Sequence, residues 1–313
     1  MPRFIFPAGC RYGHDCWAVN YVDVDPEEGV YLDFLCNAKT YDGHKGTDFA
    51  LGSVAWMRAG VDVLAAAQGE VLRVRDGESD SLKNAKALEA VRQSNKECGN
   101  GVLIDHGGGV QTMYCHLKSG SVVVQRGQRV RAGEKIAQIG QSGYAEFPHL
   151  HFGVFSGGEV IDPYTGAPSR QGCGVMEEPL WHVGLPMVYE PVVIFGGGFR
   201  SQPPDFKAIE RGDNENPETL SLRSAALVFW AGFFNVEAGD EFLLEVFDPD
   251  GEVFVSREQK AQKNRARQYY YTGRKVGKVQ LKEGIYKGVV TLKRRGDDGV
   301  FLEREKVFRV AME

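Results

Sequence analysis

EFPHLHFGV, Glu146 to Val154, sets two histidines two positions apart among apolar neighbours. In a strand, residues two apart face the same side. His149 and His151 then project together, while Leu150 and Phe152 turn to the opposite side. The apolar rear packs on a core and the front carries two imidazoles. A half-exposed strand face is the plain alternative. Two histidines used as core filler would be odd, because each buried imidazole needs hydrogen-bond partners.

The sequence around this strand is also β-rich. CWAVNYVDVDP (Cys16 to Pro26) ends in an Asp-Pro turn, and VDVLAAAQGEVLRVRDG (Val61 to Gly77) reads as two strands broken at Gln68-Gly69. In GNGVLIDHGGGVQTMYCHL, Val102 to Asp105 and Val110 to Cys115 form a hairpin across Gly107 to Gly109. Short strands with glycine turns continue through SVVVQRGQRVRAGEKIAQIG and GGEVIDPYTG. One segment differs. Between Ser81 and Glu97, Leu82, Ala85, Leu88 and Val91 recur at helical spacing, Ser79 or Asp80 could cap, and Gly99 stops the pattern. This helix interrupts the strands and is expected to form a wall over a surface.

The chain of 313 residues sets a prior of about two domains. Residues 168–186, rich in Pro, Gly and polar residues, read as the linker between a first domain over 1–167 and a second over 187–313. The fold class expected is mostly β: an antiparallel sheet domain with an inserted helix, then a β-sandwich. The second domain alternates apolar and polar residues, with hairpin turns at DPDG (Asp248 to Gly251) and GDDG (Gly296 to Gly299). GDNENPETL, Gly212 to Leu220, reads as an acidic loop. The longest apolar run, Ala225 to Phe234, is too short to span a membrane and reads as a buried strand.

A net charge of −5 argues against a nucleic-acid binder that works through overall basicity. The first ten residues lack the basic head and long apolar core of a signal peptide, so an exported protein would be represented here by its mature form. Six cysteines suggest disulfides and an oxidising compartment; six reduced, buried thiols are the alternative. Cys10 with Cys16 and Cys98 with Cys115 are the preferred local pairs, leaving Cys36 and Cys173.

His44 stands four residues before Asp48 in DGHKGTDFAL, and His116 ends the hairpin strand. Imidazole and carboxylate are both ordinary zinc ligands, although this spacing alone is a weak signal. Together, GHKGTDFA, VLAAAQGEV, GNGVLIDHGGGVQTMYCHL, GQRVRAGEKIAQIGQSG and PHLHFGV, in that order, resemble the lysostaphin/LytM-type zinc metalloendopeptidases, which cleave peptides of the bacterial cell wall. The resemblance covers about Tyr41 to Pro163. It implies the duplicated-hybrid-motif fold with an open groove, zinc held by His44, Asp48 and His151, and catalytic roles for His116 and His149. Three protein ligands leave a fourth position for water, as a hydrolytic zinc site requires. Base and oxyanion roles stay undivided between His116 and His149.

One departure stands before the H-x-H. Tyr144 to Phe147 replace the small, hydroxyl and glycine residues usual there, which puts substrate preference in question but not metal binding. His106, in the hairpin turn, is expected to be exposed, and neither His14 nor His182 has a ligand-spaced partner. In the second domain, Arg257 to Lys278 is strongly basic around Tyr269, Tyr270 and Tyr271. It reads as a solvated hairpin or an edge strand whose lysines discourage sheet pairing, with contact to anionic wall polymer, lipid headgroups or glycan as the functional alternative.

The function expected is a zinc endopeptidase, periplasmic or secreted, that hydrolyses peptide cross-links of peptidoglycan. Its partners would be peptide stems, with no nucleic acid, no membrane span, and a regulatory partner engaged through the C-terminal domain. The alternatives are a wall-binding regulator that activates other hydrolases without cutting, and a binding module led by the second domain. The complete set His44, Asp48, His116, His149 and His151 argues against loss of the site.

Overall fold

The computed structural model describes every residue except 82–84, 186, 213–216, 278–279, 297–298 and 300. The start of the expected helix, including Leu82, and parts of the 212–220 loop and of the GDDG turn lie outside the described residues. The chain divides into two compact units, Met1–Glu190 and Pro191–Glu313. No described helix is long and apolar enough to cross a membrane.

The first unit is built on a largely antiparallel sheet. Its strands are β1 (Cys16–Asn20), β2 (Thr47–Leu51), β4 (Gly69–Arg75), β5 (Asn100–Asp105), β6 (Val110–Leu117), β7 (Arg129–Val130), β9 (His149–Ser156) and β10 (Glu159–Ile161). The order is β1-β2-β9-β6-β5-β4-β7, with β10 beside β9. A separate pair joins β3 (Asp62–Leu64) to β8 (Lys135–Gln138). The rear of β9 packs as its alternation demands: Leu150 and Phe152 are fully buried, and Phe152 meets Phe4, Tyr114 and Trp181. Burial of each such side chain stabilises the unit by about 2–3 kcal/mol.

Two helices interrupt the strands. The inserted helix α2 (Ala85–Gln93) is present as expected. A short helix α1 (Val54–Ala59) was not expected. Its signals are local: the Ser53 side chain accepts the Trp56 N–H, and Gly60 stops the turn at a φ of 92°. Six residues are too few to show an apolar period.

Residues 168–186 do not link the two units, contrary to the sequence reading. Leu180 and Trp181 are buried in the first core, Phe4 N–H donates to the Leu180 carbonyl, and Cys173 is bonded to Cys36. The division falls at Glu190/Pro191. Polar and glycine-rich composition marked a surface strap, and the few apolar residues within it anchor it. The local disulfides Cys10–Cys16 and Cys98–Cys115 form as expected, and the two cysteines left over pair with each other.

The second unit stacks a three-stranded sheet on a five-stranded one. The first has order β11 (Val193–Arg200), β13 (Ala226–Val236), β16 (Arg265–Lys275). The second has order β12 (Thr219–Leu220), β18 (Phe301–Met312), β17 (Gly284–Arg295), β14 (Glu241–Phe247), β15 (Val253–Lys260). A helix α3 (Phe206–Arg211) follows β11. Phe229 against Phe308 and Phe233 against Phe242 join the two sheets. The apolar run is β13, buried along its whole length. The described part of the basic stretch spans the end of β15 and all of β16, each at an edge of its sheet, but Tyr269 is buried and Tyr270 packs on Phe233 and Phe242, so of the three tyrosines only Tyr271 is an exposed ring.

Candidate metal centre and groove

Four residues on neighbouring strands line up in register. Asn20 on β1 lies opposite Asp48 on β2, Asp48 opposite His151 on β9, and His151 opposite Cys115 on β6. His44, in the turn before β2, completes the cluster. His44 Nε2 is 3.1 Å from Asp48 Oδ1 and 3.0 Å from His151 Nδ1, and His151 Nδ1 is 2.9 Å from Asp48 Oδ1. All three residues are buried.

This arrangement lacks protons where it needs them. His44 Nδ1 is 2.7 Å from the Tyr21 carbonyl oxygen, which can only accept, so Nδ1 carries the hydrogen. In the neutral ring Nε2 is then a bare lone pair facing a carboxylate oxygen. Buried acceptors converging in this way are costly unless a cation lies among them. Ligands tetrahedral about zinc at 2.0–2.1 Å stand roughly 3.3 Å apart, close to the spacing found here. The three side chains therefore fit a metal ion, and His44, Asp48 and His151 could each offer one ligand atom. Burial opposes ionisation of Asp48; positive charge at His44 first, then at His149, with hydrogen bonds from His151 and His44, is what would hold its carboxyl well below the usual range.

Two further groups prepare the cluster. Asn20 Nδ2 donates to Asp48 Oδ2 at 2.9 Å, which leaves Oδ1 directed at the histidines. Gly46 gives the His151 ring its room: a Cβ there would stand 2.7 Å from His151 Nε2 and 2.7 Å from the Phe152 carbonyl oxygen.

His116 and His149 lie beside this cluster, with ring centroids 4.5 Å apart. Each is pinned the same way. His116 Nδ1 donates to the Ser142 carbonyl and His149 Nδ1 to the Phe147 carbonyl, both at 2.9 Å. Each therefore keeps a free Nε2; that of His149 is 3.7 Å from Asp48 Oδ1. Burial, then the neighbouring His149 and His151, push the His116 pKa well below its ordinary value, so this ring is neutral near pH 7.

Alternation along β6 would send His116 to the core side, with Thr112 and Tyr114. Instead its backbone turns left-handed, with a φ of 61°. Its N–H donates to the Cys98 carbonyl and its carbonyl accepts from Gly140. His116 thereby joins Met113 and Cys115 on the groove side. A non-glycine residue in this conformation costs about 1–3 kcal/mol, held here by the bonds on either side.

The groove over the cluster encloses about 520 Å³. Tyr41, stacked on His44 with centroids 4.3 Å apart, and Tyr144 line it. Arg92 of α2 and Asn95 and Glu97 beyond it also line it, so the inserted helix contributes a wall, as expected. His14 and His182 are exposed and take no part. His106 is not the exposed residue expected: Nδ1 donates to the Gln68 carbonyl and Nε2 lies 2.8 Å from Thr112 Oγ1, so it ties the hairpin to the preceding turn. Asn20, Tyr21 and Ser142 were missed in the sequence because each acts on a partner 20 or more residues away.

Residues 42–163 match the model of Peptidase family M23. An uncharacterized metalloprotease of Haemophilus influenzae is 32% identical over 122 residues, covering 39% of this chain and 20% of that protein. The peptidoglycan DD-endopeptidase ShyB of Vibrio cholerae is 31% identical over 119 residues, covering 38% of this chain and 22% of its own. A solved zinc-containing peptidase from Vibrio cholerae aligns at 27% identity and a TM-score of 0.30, over 46% of this chain and 39% of that one. The chain thus spans about a fifth of the length of these curated relatives. The segment that matches the Peptidase family M23 model contains His44, Asp48, His116, His149 and His151.

Proposed function

We propose that the protein is a zinc metalloendopeptidase that hydrolyses peptide cross-links of bacterial peptidoglycan. The observation that carries this reading is the convergence of His44 Nε2, Asp48 Oδ1 and His151 Nδ1 within 3.1 Å of one another, at the floor of an open groove. The similarity to a peptidoglycan DD-endopeptidase supports the substrate class. Three disulfides support an exported protein working in the periplasm or outside the cell.

His44, Asp48 and His151 would hold the zinc. Zinc in such a site lowers the pKa of its water to about 7 and polarises a carbonyl. The chain's own groups handle the protons. Neutral His116 accepts the proton of the attacking water on Nε2 and returns it to the leaving amine as the C–N bond breaks. His149, its Nε2 turned to the same space, holds the developing oxyanion when it carries a proton there. The carbonyls of Ser142 and Phe147 keep both rings aimed, so no reorientation is needed during the reaction.

The test is digestion of purified peptidoglycan, with and without chelator, followed by mass spectrometry of the fragments. Cross-link cleavage products that vanish with chelator and return with zinc are expected. Wall material left intact by the zinc-loaded protein would overturn the enzyme and favour a non-cutting regulator.

A further inference from the structure

The inserted helix brings to the groove a charge that the metal cluster does not use. Arg92, in the last turn of α2, is exposed and lines the same groove as His44, His116 and His151. Lys45, between His44 and Gly46, lines it too. Among the described residues neither cation has a carboxylate partner. Two other charged groups face the same space. Asp42 accepts the Gly29 N–H at 3.2 Å, and Glu97 follows Arg92 by five residues. An unpaired arginine in a groove is the group best shaped to take a carboxylate, because its planar fork can donate two parallel hydrogen bonds.

We infer that Arg92 and Lys45 form a subsite for one carboxylate of the peptide substrate, and that Arg92 determines a preference for stems bearing a free acid over amidated stems. The inference rests on the endopeptidase reading and deepens it by naming the chemistry of the substrate. The wall is held in place from its base. Cys98, at the end of the insertion, is bonded to Cys115 of β6, and its carbonyl accepts the His116 N–H. A substrate group bound at Arg92 is therefore coupled by a short rigid path to the reacting centre.

The experiment compares two substrates: a cross-linked muropeptide dimer with its carboxylates free, and the same dimer with them amidated. With the zinc-loaded full chain, kcat/KM is expected to favour the acid at least tenfold, a discrimination that one charge-assisted pair can supply. Arg92→Gln should lower kcat/KM for the acid about tenfold and leave the amide within twofold, while Arg92→Lys should keep part of the preference. The preference should also shrink as salt is raised, since both cations are solvent-exposed. Equal turnover of the two dimers by the unaltered protein, or an equal loss on both in Arg92→Gln, would overturn the subsite. Binding of both dimers is measured separately on His149→Ala, which does not depend on turnover. If neither dimer is cut but the acid binds tenfold tighter and Arg92→Gln removes the difference, the hydrolase reading fails and the subsite stands.

Discussion

Asn20 and Asp48, 28 residues apart in sequence, face each other across β1 and β2 with Asn20 Nδ2 2.9 Å from Asp48 Oδ2. The bond leaves only Oδ1 for the histidines. Asn20→Ala should therefore retain the fold and the metal ligands but weaken zinc affinity about 10- to 100-fold, the usual cost of losing such a support. Competition with a graded series of chelators would measure it. Affinity equal to that of the unaltered protein would show that Asp48 needs no such orientation.

The proposed division between metal ligands and reacting groups predicts two classes of variant. Asp48→Ala should lose both zinc and activity, because two imidazoles alone leave the site without its carboxylate. His149→Ala and His116→Ala should keep about one zinc per chain and lose turnover by about 10²- to 10⁴-fold, the range for a missing acid–base group. Metal analysis beside peptidoglycan digestion separates the cases. Equal zinc loss in Asp48→Ala and His149→Ala would make His149 a ligand.

Part of this site was legible from residue order alone, and the boundary is physical. The H-x-H strand declared itself because a period of two puts His149 and His151 on one side, and buried Leu150 and Phe152 fix which side that is. His116 could be placed at the end of its strand, but the rule of alternation points it the wrong way. Only the left-handed turn, set by contacts to Cys98 and Gly140, brings it to the groove. Asn20 and the Tyr21 and Ser142 carbonyls depend on strand pairing, which spacing in one sequence does not encode. The strap over residues 168–186 misled for another reason. Its composition is that of a linker, while its position is fixed by Leu180, Trp181 and the Cys36–Cys173 bond.

Gly46 tests how tightly the cluster is built. A methyl group there meets the His151 ring on one side and the Phe152 carbonyl on the other. The carbonyl belongs to β9 and cannot retreat without breaking the sheet, so the ring must yield. Gly46→Ala should destabilise the first unit by about 1–3 kcal/mol, the usual cost of overpacking, and lower zinc affinity. Thermal unfolding with and without zinc would read both effects. A variant with full affinity would mean that the ring has more freedom than its contacts indicate.

Asp162 predicts a pH dependence of stability independent of the metal. It is buried, Oδ1 accepts the Tyr164 N–H at 2.7 Å, and Oδ2 has no hydrogen-bond partner among the described residues. Burial first, and the nearby Asp33, raise its pKa to about 7 from 3.8. Between those values the folded protein holds a proton that the unfolded chain has released. Stability from this group is therefore present below about pH 4, falls as pH rises, and is lost above about pH 7. The full loss is about 2–4 kcal/mol, the upper figure following from 1.36 kcal/mol per pKa unit. Asp162→Asn removes the titration, so denaturant unfolding of the variant should depend less on pH across this window. An unchanged slope would show that Asp162 ionises in the folded protein much as it does unfolded.

The second unit depends on one buried ion pair. Arg294 makes two bonds of 2.7 Å to the Asp240 carboxylate, from Nε and Nη2. It also donates to the carbonyls of Pro191 and Asn235 and to Glu237. The Asp240 side chain is 1% exposed and that of Arg294 12%. Arg294→Ala would leave the carboxylate buried without this cation, and the carbonyl of Asn235, itself a left-handed residue, without the Arg294 donor. The expected loss is about 3–5 kcal/mol. Arg294→Met combined with Asp240→Leu should cost far less, since the pair's desolvation is removed together with its attraction. Unfolding of the second unit followed by limited proteolysis, with zinc content as the readout of the first, would show the loss confined to residues 191–313. Equal destabilisation by the single and the double variant would mean that the packing around Arg294, rather than its charge, holds the sandwich closed.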